Sequence, residues 1–169
     1  MALTLISTPL DITVSDTAVA TVDITSGITS TYDSYEFHCV NMHPATANQT
    51  FSFQVNAAGQ SGFNETITTT AFQAYHTEDD GYQGLGYHAD IDQAQGTAYQ
   101  ILTTDVYNDN DLGASGVLTL YAPSSTTYVK HFTSRVQAAS SVGSVEKYIA
   151  GYINVTAAID EISFKFASG

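Results

Sequence analysis

Polar and apolar residues alternate in short runs along most of this chain. Tyr35, Phe37 and Cys39 share one parity, with Glu36 and His38 on the other. Phe51, Phe53 and Val55 alternate with Ser52 and Gln54, and Ile162, Phe164 and Phe166 alternate with Ser163 and Lys165. A period of two sends successive side chains to opposite faces of an extended backbone, so each run predicts a strand with one apolar face. The same reading gives strands at 18–25, 35–43, 50–56, 65–75, 116–121, 128–136, 148–155 and 159–166. Their Thr, Tyr, Phe, Val and Ile content agrees, because branched and flat side chains fit a pleated, half-buried surface.

Turn-forming sequences separate the runs: Ser26-Gly27, His43-Pro44, Ala58-Gly59, Asp80-Gly81, Leu112-Gly113, Pro123-Ser124-Ser125 and Val142-Gly143. No stretch carries a helical apolar period. At most, 138–147 has room for a helical turn, and the Ser-Ser-Val-Gly at its centre argues against more. Short strands at this spacing predict one all-β domain over 1–169, an antiparallel β-sandwich of jelly-roll type. The N-terminal segment 1–17 is set apart as available for assembly contacts.

One segment breaks the rhythm. Residues 76–98 run for 23 positions with four glycines and five acids. A structureless loop of that length is uncommon in a compact domain and is usually functional. We expect 85–88 to pair as a short strand within it and the remainder to carry recognition. Tyr82, Tyr87 and His88 are the candidate recognition residues, because tyrosine combines a broad flat contact area with a polar tip.

Charge narrows the list of partners. The chain carries 17 Asp and Glu against four Lys and Arg, a net charge of −13. Lys130, Arg135, Lys147 and Lys165 are its only cations, so the first 129 residues contain none. A polyanion or an anionic membrane binds through basic patches, which most of this chain cannot form. Partners are therefore expected to include neither nucleic acid nor membrane. Charged residues make up only 12% of the chain, while 43% are hydrophobic, a globular composition rather than a disordered one.

Other chemistry is sparse. Cys39 is the single cysteine, so no disulfide can form within the chain. His38, Cys39 and His43 are close in sequence, but residues 38 and 43, like 38 and 39, face opposite sides of a strand, which argues against a zinc site. Glu78, Asp79, Asp80, Asp90 and Asp92, or Asn108, Asp109, Asn110 and Asp111, offer oxygens suited to Ca²⁺. Neither group has the spacing of a calcium loop, and both read better as turns. No nucleophile elbow, phosphate loop or zinc-protease motif occurs. The N-terminus lacks the pattern of a signal peptide, and no run is long and apolar enough for a transmembrane helix.

Several segments nevertheless form a recognisable set. They are Ser30–Tyr35, Met42–Thr46, Ser61–Thr66, Ala74–Asp79, the run PSSTTYVKHF at 123–132, Ala150–Asn154 and Ala158–Ile162. Over residues 20–169 the chain resembles small proteins encoded by marine tailed bacteriophages. The resemblance implies a virion-associated β protein, made in the host cytoplasm and located in the particle. The proteins it resembles continue past the corresponding Ser-Gly into another Gly-rich strand, and whether this chain does so stays open. It brings no catalytic residue and no cofactor.

Together these readings lead to the expectation of a non-enzymatic structural component of a bacteriophage virion. It would decorate the capsid or belong to a tail fibre, and bind itself, as a trimer, and other virion proteins. The alternative is a carbohydrate-binding module that attaches to a host-surface glycan.

Overall fold

The computed structural model describes residue 4 and residues 19–168, so the expected assembly segment 1–17 lies, apart from residue 4, outside the described residues. Ten strands follow one another: Val22–Ile24 (β1), Ser34–Met42 (β2), Gln49–Ala57 (β3), Ile67–Thr77 (β4), Gln83–Tyr87 (β5), Gln100–Val106 (β6), Ala114–Tyr121 (β7), Lys130–Ser140 (β8), Gly143–Ile153 (β9) and Ile159–Phe166 (β10). They form two antiparallel sheets, one of four strands ordered β1-β10-β3-β6 and one of six ordered β2-β7-β8-β9-β4-β5. The chain folds as a β-sandwich.

The strand order gives its type. An eight-stranded jelly roll orders its strands 1-8-3-6 in one sheet and 2-7-4-5 in the other. Counting the consecutive hairpins β7-β8-β9 as a single seventh element reproduces both orders here. The fold is a jelly roll in which one strand has become a three-stranded meander, and this widens one sheet from four strands to six.

The alternating pattern now has a direction. Phe51, Phe53, Val55 and Ala57 of β3 face the larger sheet and meet Phe132, Val136, Leu118, Ile149 and Ile153, all buried. Phe53 packs edge-on against Phe132 with ring centroids 4.9 Å apart, and Phe164 sits between Phe37 at 5.6 Å and Phe51 at 5.8 Å. Each fully buried aromatic of this kind contributes about 1.5–3 kcal/mol through the area it removes from water. Polar ties close the ends of the sandwich. The Lys130 ammonium is fully buried and donates to the carbonyls of Tyr128, Val155 and Thr156, which satisfies all three of its protons. Burial lowers its pKa.

Two segments differ from the sequence reading. Strand β6 was not anticipated. Its sequence QILTTDV places Ile101 and Leu102 side by side, and irregular pairing with β3 at Phe51 and Ser52, together with the left-handed Asp105, breaks the alternation. The segment 138–147, read as room for a helical turn, is instead the β8–β9 hairpin, in which Ser140 pairs with Gly143 and the Ser140 hydroxyl donates to the Gly143 carbonyl at 3.0 Å. Gly143 is required there because a β-carbon would collide with the backbone of His76 and Thr77.

Candidate functional site

Residues 76–98 turn out to be built into the edge of the larger sheet. At the turn after β4, the Asp79 carboxylate accepts from the Thr77 hydroxyl at 2.7 Å and from the Gly81 amide at 2.9 Å. These two hydrogen bonds, the Thr77 one foremost, hold the Asp79 carboxyl below its ordinary pKa. Asp80 takes a left-handed φ of 59° and places its carboxylate 3.1 Å from His76. The acids of this turn are thus used as turn residues. Strand β5 then runs back along β4, pairing Gln83 with His76 through to Tyr87 with Phe72.

Beyond β5 the chain stays on the same edge. The His88 amide donates to Ala71 O, the Thr69 amide to Gln93 O, and Ile67 and Gly96 exchange two hydrogen bonds. Ile91 is buried in the core. The Gln100 side chain, also buried, accepts from Thr69 Oγ1 at 2.9 Å and Gln93 Nε2 at 3.2 Å and donates to Ile91 O at 2.8 Å. An amide satisfied this fully fixes the return segment, because undoing it strands buried polar groups.

The three candidate recognition residues diverge. Tyr82 stands exposed at the end of the β4–β5 hairpin, where its backbone binds Thr77. Tyr87 projects from the outer face, and its hydroxyl bonds the Asp92 carboxylate. That bond is the main reason the tyrosine pKa is raised. His88 turns inward, with Nδ1 3.3 Å from the ammonium of Lys147, which is 1% exposed and donates to Gln73 Oε1 at 2.5 Å. Burial lowers the pKa of both partners; the Lys147 charge lowers His88 further, and Asp105 partly offsets the shift of Lys147. The contact needs an unprotonated His88 Nδ1 as acceptor.

What the sequence did not reveal is a row that crosses the whole larger sheet. Register pairs Tyr87 with Phe72, Phe72 with Tyr148, Tyr148 with Arg135, Arg135 with Val117 and Val117 with His38. Every strand contributes one outward side chain, over a span of about 24 Å at the usual strand spacing. Phe72 and Tyr148 stack with ring centroids 4.7 Å apart, and the Arg135 guanidinium lies over the other face of Tyr148 at 5.3 Å. Glu146 bonds both Arg135 and the Tyr148 hydroxyl. The hydrogen bond with Arg135 lowers the Glu146 pKa and raises that of Arg135. Next to this stack a shallow depression of about 410 Å³ is lined by His38, Val40, Val117, Arg135, Gln137 and Glu146. At the β5 end, Phe72 is 44% exposed, Tyr87 61% and Leu85 74%. Alternation marked the faces of β4, yet its inward face carries Thr69 and Gln73 and its outward face carries Phe72, so polarity alone pointed the wrong way.

The other candidates are dispersed. His38 bonds Glu36 at 2.9 Å on the outer face, the Cys39 side chain packs against the core, and His43 reaches Asp109 O at 2.9 Å. Burial pushes the Cys39 thiol up to about 11, which leaves it protonated at neutral pH. All four cations are engaged: Lys130 by carbonyls, Lys147 by Gln73, Arg135 by Glu146, and Lys165 over the Tyr99 ring at 4.1 Å. Among the described residues, no three His, Cys, Asp or Glu side chains converge in a metal-binding geometry, and no helix is long and apolar enough to cross a membrane.

No protein-family model matches this chain, and neither a curated protein nor a solved structure matches it.

Proposed function

We propose that this chain is a non-enzymatic building and docking component of a bacteriophage particle, on the capsid or in the tail, that works through protein–protein contacts of its larger sheet. The phage context comes from the sequence resemblance alone, since a jelly roll serves capsids and lectins alike. The observation that carries the docking role is the row from Tyr87 to His38. It is registered across six strands, rich in the aromatic and arginine side chains that dominate protein interfaces, and covered by nothing among the described residues. The ionisable groups with shifted pKa values are tied into structure: Lys130 is caged by carbonyls, Lys147 is held between β4 and β9, and Cys39 is protonated and packed. These arrangements support scaffold chemistry rather than catalysis.

The glycan reading draws less support from the ring geometry. A sugar stacks on an open aromatic face. Both faces of Tyr148 are occupied, by Phe72 and by Arg135, and one face of Phe72 is occupied by Tyr148. Self-association into a trimer belongs to the same proposal and would use sheet edges other than β5, which closed symmetry buries.

Mass spectrometry of gradient-purified particles tests the proposal. We expect this chain to co-purify with the major capsid or tail proteins at a fixed copy number at physiological salt. Its absence from the particles would overturn the proposal.

A further inference from the structure

Strand β5 ends the larger sheet and has β4 as its only neighbour among the described residues. The hydrogen bonds that bracket it, Thr77 amide to Tyr82 O and His88 amide to Ala71 O, set its polarity. In an antiparallel ladder, hydrogen-bonded pairs alternate. The backbone groups of Tyr82, Gly84, Gly86 and His88 therefore point to β4, and those of Gln83, Leu85 and Tyr87 point away from the sheet.

An open edge of this kind is a template for another strand. Nothing on β5 guards it. Leu85 and Tyr87 stand exposed on the outer face, and Gly84 and Gly86 carry no side chain on the other. No lysine or proline lies in the strand or flanks it in sequence, and Lys147, which reaches His88, is buried and held by Gln73. Acids stand at both ends instead, with Glu78, Asp79 and Asp80 in the turn before it and Asp90 and Asp92 after it. The nearest cation on the same face, Arg135, is held by Glu146.

Charge complementarity selects the occupant. A second copy's first 129 residues hold no cation to set against the acids that flank β5, and its four cations are engaged within its own fold. We infer that β5 accepts an extended, lysine- or arginine-bearing segment of a different protein as a seventh strand, its apolar side chains covering Leu85 and Tyr87 and its cations facing the acids at the two ends. This inference rests on the docking role proposed above and names the chemistry of the partner. Backbone hydrogen bonds would supply register, the apolar pair the burial, and the acids the rate and direction of approach.

The test titrates the full chain with a synthetic peptide of alternating lysine and valine. Controls are the same peptide with glutamate for lysine, a peptide of residues 1–17 of this chain, and cellohexaose and chitohexaose. We expect the lysine peptide to bind at least about tenfold more tightly than the glutamate one, and to weaken about tenfold between roughly 50 and 300 mM salt. Gln83→Pro removes an edge-facing amide without touching the β4 ladder, and Leu85→Ser/Tyr87→Ser removes the apolar pair. Each should weaken binding by about tenfold while circular dichroism and melting stay near those of the parent. Equal affinity for the two charge patterns would overturn the inference, as would parental binding by both variants. Tighter binding of the 1–17 peptide would assign the edge to a second copy, and binding of an oligosaccharide lost in Leu85→Ser/Tyr87→Ser would assign it to a glycan; either result overturns the inference. Particle analysis separates the two proposals. If the chain is in the particle and Gln83→Pro is incorporated at the parental level, this inference fails and the docking proposal stands. If the chain is absent from the particle, the docking proposal fails whatever peptide it binds.

Discussion

The two sheets treat their outer faces in opposite ways. Outside the four-stranded sheet, Ser52, Gln54, Asn56 and Ser163 are as buried as the core itself. Gln54 Nε2 donates to the carbonyls of Glu65, Thr97 and Ala98, Ser163 Oγ donates to Asp23 at 2.5 Å and accepts from the Tyr99 hydroxyl, and Asn56 donates to Glu161 at 2.8 Å. Polar loops thus lie over polar strand residues and seal that face. Outside the six-stranded sheet, apolar and aromatic side chains stand in water. A sealed polar face, and an open one that carries an aromatic row among polar side chains, depart from the pattern expected if folding alone chose the residues. The sealed face serves stability, and the open one is available for binding.

Four substitutions probe this contrast. The largest effect is expected at the shared core, where Phe53→Ala should cost about 3–5 kcal/mol by emptying the space against Phe132. Urea unfolding would register it. On the sealed face, Gln54→Ala takes the donor from the carbonyls of Glu65 and Thr97, while Ala98 O keeps Gln93, and should cost about 2–3 kcal/mol. A near-neutral result there would mean that the outer layer does not hold the small sheet.

The next effect depends on pH. His88 is held below its ordinary pKa, chiefly by burial and then by the Lys147 charge, so the unfolded chain binds a proton more readily than the fold does. Its contribution is complete above the ordinary value of about 6.5 and is lost as pH falls below that. His88→Gln should flatten the stability profile as pH falls below about 6.5. A profile that keeps its slope would place the titration elsewhere. The smallest change is expected on the open face. Leu85→Ser, at a side chain 74% exposed, should move stability by no more than about 0.5 kcal/mol.

Much of the fold could be read from the sequence, and the reasons are local. Seven of the eight expected runs lie on observed strands of similar extent, because each pairs one apolar parity with one polar parity and ends in a turn residue. The first, 18–25, contracts to Val22–Ile24. Strand β6 escaped because Gln100 is buried and polar while Ile101 and Leu102 are adjacent, which hides the period. The binding face was less accessible to sequence reading. Tyr87 was singled out, but Phe72, Tyr148 and Arg135 belong to strands that only register between strands brings to its side. Within 76–98 the short strand expected at 85–88 is met by β5 at Gln83–Tyr87, whereas Gln93 and Gln100 weld the return segment to the core through polar contacts that carry no periodic signature.

The most direct test of an open working face is hydrogen–deuterium exchange on the particle-bound and free chain. The expected result is slower exchange of the edge-facing amides of Gln83, Leu85 and Tyr87 on attachment, with β1 and β6 of the smaller sheet unchanged. Slowing at β1 or β6 with β5 unaffected would contradict the assignment and move the working surface to the sheet described here as sealed.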